Sequence, residues 1–352
     1  MAIETAEDSI SYLRIKPYYR LLLRQGEYDF IKTLDEGVRV PAGNFVEVFL
    51  QLLLTDNREN ALVQQLTERT GVPEASVRTF IDRLTHTGVL ERFAPQAEPA
   101  FERYHRQLLF FDAIQPKPVF EENFDRQQKL AGAHVAILGI GGIGNYLALS
   151  LAASGVGKLS LVDDDCVEIS NLSRQILFSD ADLGQPKAEA AARRLQQLNP
   201  DCQPVPYVTA IDSPISLDAL LRQLHPVDYL VLSADRYVEL PNWASDLRFR
   251  YGFKAIKCGY MGYQGLIGPI FGPATGAYAD MFESWAGLIE QQAPVVQNIN
   301  DRHISATSSA SNAILANIAC LEILKDLAGT GSVQLLGRRL LFNLKTLEMK
   351  WG

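Results

Sequence analysis

The chain has four cysteines, Cys166, Cys202, Cys258 and Cys320, and no two of them form a C-x-x-C pair. Cysteines so scattered read as plain core or surface residues, and no chemistry is assigned to them. Long apolar runs are also absent: nothing approaches the roughly 18 uninterrupted residues of a membrane span. The opening MAIETAEDS is too polar for a signal peptide. A cytoplasmic location with no membrane partner is therefore expected. Positive charge is short as well, with 33 Lys and Arg against 41 Asp and Glu and a net charge of −8. That balance gives no general attraction to nucleic acid or to an anionic membrane. What the chain does have is length and apolar content: 352 residues that are 47% apolar can fill one large domain or two smaller ones.

Residues 133 to 187 organise the rest. The run 134 to 138 is apolar on both faces, as a parallel strand covered by helices must be. Gly139, Gly141 and Gly144 then fit G-x-G-x-x-G, and with Gly142 they form the candidate nucleotide cradle. Such glycines allow a tight turn and let a phosphate reach backbone N–H groups at the positive end of the next helix. A second apolar run, 158 to 162, ends in Asp163, placed where such folds set a carboxylate against a ribose.

The first 94 residues read as a separate module. Short strands are expected near 12 to 23 and 38 to 41, helices over 44 to 54, 59 to 69 and 73 to 87, and a strand over 89 to 93. Strands, a helix-turn-helix and a wing describe a small winged-helix domain, whose first interpretation is DNA binding. Its third helix, however, offers Glu74, Arg78, Asp82, Arg83 and His86, nearly balanced in charge and a poor grip for phosphates. A structural appendage and a peptide-docking module remain as readings. The proline-bearing linker 94 to 100 marks the expected boundary with a second domain over 101 to 352.

Beyond residue 187 the pattern continues as alternating helices and strands: helix to 198, strand 204 to 210, helix 217 to 224, strand 229 to 233, helix 241 to 250 and strand 254 to 259. That order predicts an α/β fold, Rossmann-like and doubly wound, with a mainly parallel sheet whose ligands sit beyond the carboxyl ends of its strands. Asp163 and Asp235 fall at two such ends. Strands interrupted by glycine are expected over 260 to 273, a long helix over 306 to 328 and a closing strand over 338 to 347. The polar stretch 281 to 302, with Glu283, Trp285 and His303 nearby, reads either as a lid or as a surface loop.

Two ligands compete for the glycine turn. A dinucleotide accounts for Asp163 but leaves DDDCVEISNLSRQ, residues 163 to 175, unexplained. A polyanionic ligand accounts for it: Arg174 meets phosphate oxygens bidentately, Lys187 adds a point charge, and Asp165 and Asp235 are oxygen donors suited to Mg²⁺. Mg-ATP is the expected ligand.

The strings G-I-G-G-I-G, L-V-D-x-D-x-V-E-x-S-N-L-x-R-Q and G-Q-P-K resemble the ubiquitin-activating-enzyme-like (ThiF/MoeB-type) adenylating enzymes, over residues 101 to 350. The resemblance implies that Asp163 binds the ATP ribose, Arg174 and Lys187 bind phosphates, Asn171 and Gln175 line the phosphate site, and Asp235 holds Mg²⁺. It also implies a homodimer in which Arg106, within R-Y-x-R-Q, reaches the partner's ATP site. The implied reaction is attack of a carboxylate on the α-phosphate. Many relatives carry two C-x-x-C pairs for zinc, but here T-G-A-Y-A-D puts Ala277 and Asp280 in place of the first, so no zinc is expected. A nucleophilic cysteine is hard to place, with Cys258 the least unsuitable.

The added N-terminal module and S-A-D at 233 to 235 look most like the enzymes of ribosomally made peptide antibiotics, of the microcin C and pantocin types. In that group the module resembles a peptide recognition element that captures a precursor peptide by strand addition. The activated group is then a peptide C-terminus or, as the absent zinc cysteines favour, a glutamate side chain that goes on to cyclise. An NAD(P)-linked oxidoreductase and a non-catalytic peptide-binding partner are the readings from other classes.

Overall fold

Gln25 and Gly26 both adopt positive φ, 49° and 80°, and this two-residue turn folds the chain into a hairpin that no Asn-Gly or Asp-Gly pair announces. The hairpin adds a strand not expected from the sequence. The protein is described by a computed structural model over residues 11–55, 57–93, 99–115, 122–234, 239–281, 296 and 306–352. Two units divide it, Met1–Asp125 and Arg126–Gly352.

In the first unit β1 (Tyr12–Ile15) is followed by β2 (Arg20–Arg24), β3 (Glu27–Ile31) and β4 (Gly37–Pro41), the last three forming an antiparallel sheet in the order β2-β3-β4. Three helices follow, α1 (Asn44–Thr55), α2 (Glu59–Thr70) and α3 (Glu74–His86), and then β5 (Leu90–Phe93), which pairs antiparallel with β1. Leu13, Phe30, Phe49, Leu52, Leu66 and Ile81, drawn from strands and helices alike, are buried together as its core. Edge strand β2 leaves Leu21, Leu22 and Leu23 exposed. Between it and α1 lies a groove of about 290 Å³ lined by Arg14, Ile15, Leu21, Leu50, Leu53 and Leu54.

Helix α4 (His105–Ala113) belongs to this unit. Its Asp112 is fully buried and accepts from the buried Lys16 ammonium at 2.6 Å and from the Tyr18 hydroxyl at 2.7 Å. Removing two opposite charges from water is tolerated because they meet directly and a hydroxyl satisfies the carboxylate further. The expected linker, 94–100, lies for the most part outside the described residues.

Helix α5 (Glu122–Gly132) precedes the large sheet. Its parallel strands are β6 (His134–Leu138), β7 (Lys158–Val162), β8 (Gln203–Tyr207), β9 (Tyr229–Leu232) and β10 (Lys254–Met261). Three antiparallel strands complete it: β11 (Gln264–Phe271), β12 (Leu340–Asn343) and β13 (Met349–Trp351), in the order β13-β12-β11-β10-β9-β6-β7-β8. Every residue of β6 is buried, as its two apolar faces require. The connecting helices are α6 (Gly142–Ala153), α7 (Lys187–Leu198), α8 (Pro214–Leu224) and α9 (Leu240–Tyr251). The short α10 (Tyr278–Met281) and the long α11 (Ser309–Ala328) complete the helices described in this unit. Helix α8 starts three residues before its expected position because Ser213 and Ser216 form a reciprocal cap with Pro214 in the first turn. The single closing strand expected over 338 to 347 is instead a hairpin. Asn343 accepts the N–H groups of Lys345 and Thr346 with its side chain and turns the chain back.

Among the described residues no helix is long and apolar enough to cross a membrane. The α/β fold is the one expected.

Candidate functional site

Strand order reverses between β6 and β9, since the chain proceeds outward to β7 and β8 on one side and to β9 and β10 on the other. Such a switch point opens a crevice beyond the carboxyl ends of the strands. The glycine turn sits there. Gly139 has φ 93°, and a Cβ on it would lie 2.7 Å from the Ala234 backbone nitrogen. A Cβ on Gly144 would lie 1.9 Å from the Gly139 carbonyl oxygen, so the first turn of α6 rests directly on the loop. Ser233 secures the same loop, its hydroxyl donating to the Gly139 carbonyl at 2.8 Å. Gly141 alone of this group faces open space, with nothing within 4 Å of its would-be Cβ.

Asp163, at the end of β7, accepts the Ile140 N–H at 2.6 Å with one oxygen and the Asp165 N–H at 2.9 Å with the other. Burial pushes its carboxyl above the usual carboxylate range, and the Lys187 charge and the two N–H donors oppose that shift. It thus ties the glycine loop to the strand end while remaining partly accessible. Lys187 begins α7 with only 6% of its surface exposed, and its ammonium lies 2.8 Å from the Asp165 carboxylate. The backbone explains how it arrives there: Lys187 N–H donates to Asp165, Val167 N–H to Gln185 and Gly184 N–H to Val167, an irregular ladder that folds G-Q-P-K back onto the acids. Asp163, Asp164 and Asp165 place carboxylate oxygens within 4.8 Å of one another, a donor set of the type Mg²⁺ accepts.

Asn171 and Gln175 belong to the segment that closes this end. The Asn171 side chain accepts the Glu168 N–H at 3.0 Å and caps the short 3-10 turn Ile169–Asn171. Gln175 is buried, and among the described residues its Oε1 has no hydrogen-bond partner. The same holds for Asn145 Nδ2 and Asn312 Nδ2, two buried amide donors beside the α6 start. Asn145 uses its oxygen to accept the Leu177 N–H at 2.7 Å, and Asn312 packs against Gly142, whose Cβ would meet it at 2.2 Å. Buried polar atoms left without partners carry a cost that a polar ligand removes. A cradle lacking side chains and orphaned amides beside it fit a nucleotide phosphate chain. Arg174 is partly exposed, and among the described residues its sole acceptor is the Ser170 carbonyl at 2.7 Å, with no ion pair.

The structure therefore brings together Gly139, Gly141, Gly142, Gly144, Asp163, Asp165 and Lys187, with Asn171, Arg174 and Gln175 on the adjoining segment. Arg106 stands exposed on α4 in the first unit, with no ion-pair partner among the described residues. Asp235, Glu283, Trp285 and His303 lie outside the described residues, as does most of 281–302. Ser233, the first residue of the S-A-D string, also contributes, as do Asn145, Asn312 and Lys257, which no local motif marks; Lys257 donates to the Ala234 carbonyl at 3.2 Å. Cys258 is fully buried at 0% exposure, and burial pushes its thiol up to about 12.

An α/β protein with a nucleotide cradle at the switch point of its sheet is what fold and geometry define. The chain belongs to the ThiF family, whose model matches residues 104–351. Among curated relatives, the sulfur carrier protein ThiS adenylyltransferase of Escherichia coli K12 is 45% identical over 120 residues, 34% of this chain and 43% of that protein. The adenylyltransferase and sulfurtransferase MOCS3 of Bos taurus is 32% identical over 241 residues, 68% of this chain and 48% of that protein. The matches thus span less than half the length of these relatives. Among solved structures, E. coli MccB with AMPCPP and MccA superposes with a TM-score of 0.78 at 23% identity, over 97% of this chain and 96% of that one. PaaA superposes with a TM-score of 0.74 at 22% identity, over 96% and 98%.

Proposed function

We propose that the protein activates a carboxylate of a ribosomally made precursor peptide by adenylation. An oxygen of the carboxylate attacks the α-phosphate of ATP, the bond to the β-phosphate breaks, and pyrophosphate leaves with the bonding pair. The observation that supports this reading is a glycine cradle at the Asp163 strand end, with the Lys187 ammonium on neighbouring Asp165 and Arg174 on the segment whose Leu177 N–H bonds Asn145 of α6. A reaction of this kind needs positioning and charge neutralisation more than proton transfer. Asp163 would take the ribose, Lys187 and Arg174 the phosphates, with Asn171 and Gln175 lining their site. In a homodimer Arg106 would enter the partner's site. Asp235 and Asp165 would together hold Mg²⁺, which neutralises phosphate charge when bound.

The peptide part rests on the first unit. Edge strand β2, with its exposed leucines and neighbouring apolar groove, offers backbone N–H and C=O groups to an added strand. MccB, whose fold this chain shares over both units, has been crystallised with MccA, which supports the same use here. Passage of the acyl group to Cys258 or Cys320 is disfavoured, because both are buried and burial pushes their thiols up to about 12. A glutamate side chain that then cyclises is the preferred substrate group. C-terminal adenylation of a peptide or a sulfur carrier protein is the second reading, favoured by the ThiS adenylyltransferase likeness.

Peptide-dependent exchange of labelled pyrophosphate into ATP tests the proposal. Exchange is expected with a cognate precursor peptide, and mass spectrometry then separates loss of water from gain of AMP. ATP binding without exchange for any cognate peptide or sulfur carrier would sink it.

A further inference from the structure

Apart from Arg106, which would come from a partner subunit, the cations assigned so far follow a single strand of the crevice. Lys187 and Arg174 both follow β7, on the side where the chain winds toward β8. A carboxylate approaching the α-phosphate is an anion approaching a polyanion, so its path also needs positive charge. The opposite wall is built by β9 and β10. There Lys257 pairs in register with Leu232, the last residue of β9, immediately before the chain turns toward the glycine loop. Its ammonium donates to the Ala234 carbonyl at 3.2 Å. Ala234 in turn is the residue whose backbone nitrogen would lie 2.7 Å from a Cβ on Gly139. One residue thus separates the ammonium from the cradle. Its stem is half-buried and passes Gly259, whose missing side chain leaves the Lys257 Cε 3.9 Å from where a Cβ would be. Lys257 thus brings a charged nitrogen to the carboxyl end of a parallel strand, which is where ligands sit in sheets of this kind.

We propose that Lys257 receives the carboxylate that is to be activated, an assignment that rests on the acyl-adenylate reading above. One carboxylate oxygen forms the new bond to phosphorus. The other becomes the acyl carbonyl and keeps the hydrogen bond from the Lys257 ammonium, so no proton moves and the only leaving group is pyrophosphate. Lys257 is on this account a substrate contact and not an ATP contact.

The probes are ATP, AMP and a 5′-O-(N-acylsulfamoyl)adenosine carrying a γ-glutamyl group, a stable mimic of the acyl-adenylate, titrated calorimetrically into the full-length protein. The wild type is expected to bind the mimic more tightly than AMP. Lys257→Met should leave ATP affinity within about twofold and weaken the mimic by roughly 10- to 100-fold, the range of a charge-assisted hydrogen bond. Lys257→Arg, which keeps the charge, should retain most of the preference and shows that any loss in the methionine variant is not misfolding. Unchanged affinity of Lys257→Met for the mimic overturns the inference alone, as does an equal loss for ATP and mimic or a loss in the arginine variant as large as in the methionine variant. A wild type that binds ATP but does not prefer the mimic to AMP overturns the acyl-adenylate reading and the inference with it.

Discussion

Gly141 and Gly144 stand three residues apart in one motif, yet alanine at each should do opposite things. At Gly144 the new methyl would lie 1.9 Å from the Gly139 carbonyl oxygen and 2.9 Å from the Ser233 hydroxyl, where ordinary contact begins at 3.4 Å. The α6 start and the loop must separate by about 1.5 Å, and neither is a flexible side chain end. Overpacking of this kind costs about 1–3 kcal/mol, and the breach also loosens the Ser233 bond. At Gly141 the methyl meets nothing within 4 Å, and φ of −75° suits alanine. The chain should be as stable as the wild type or more so by up to about 1 kcal/mol, because alanine restricts the unfolded chain. The space the methyl fills is nevertheless the one the proposed function gives to a phosphate approaching the backbone. Denaturant unfolding and ATP titration of the two variants separate fold from function. Gly144→Ala should lose stability, and Gly141→Ala should keep stability and lose ATP affinity. A fully stable Gly144→Ala, or a Gly141→Ala that binds ATP as the wild type does, refutes this account of the cradle.

Arg174→Ala should lower pyrophosphate exchange by about a hundredfold, since one preorganised charge contact contributes on the order of 3 kcal/mol in the transition state. Its melting temperature should not move, because among the described residues the side chain holds only the Ser170 carbonyl. His134, buried in β6 with its ring nitrogens on the Pro226 carbonyl and the Ser160 hydroxyl, has its pKa lowered from 6.5 by burial. The folded state therefore binds fewer protons there than the unfolded one. The His134 contribution is present above about pH 6.5 and is lost as pH falls below it, so His134→Gln should flatten the decline in urea midpoint between pH 7.5 and 5.5. Lys16→Met leaves the buried Asp112 carboxylate without its cation and should cost about 3–5 kcal/mol, readable as a fall in the urea midpoint of the first unit.

How much of this was legible depended on sequence distance. The cradle, Asp163 and the return of Lys187 come from one stretch of about fifty residues, where each step follows from strand, turn and helix geometry. Ser233, Lys257 and Asn312 complete the same place from β9, β10 and α11, and only the sheet order brings them there. S-A-D marks Ser233 only through a resemblance, and no local pattern marks Lys257 or Asn312. The Asn171 side chain reads from its motif as part of the phosphate site, while its observed bond is a cap on its own turn. Elements slipped where turn chemistry was unusual: Gln25-Gly26 takes the place of the usual Asn-Gly, and the Asn343 turn divides an apolar run that reads as one strand.

The buried Lys16–Asp112 pair bears on how such a chain is cut and recombined. Lys16 lies between the first two strands of the first unit, while Asp112 lies on α4, beyond residue 100. A graft that replaces everything before residue 100 removes Lys16 and Tyr18 together and leaves Asp112 buried without a counterion. A seam placed after α4, near Asp125, carries donor and acceptor together. Anyone exchanging the first unit between relatives should therefore move the Arg106 helix along with it.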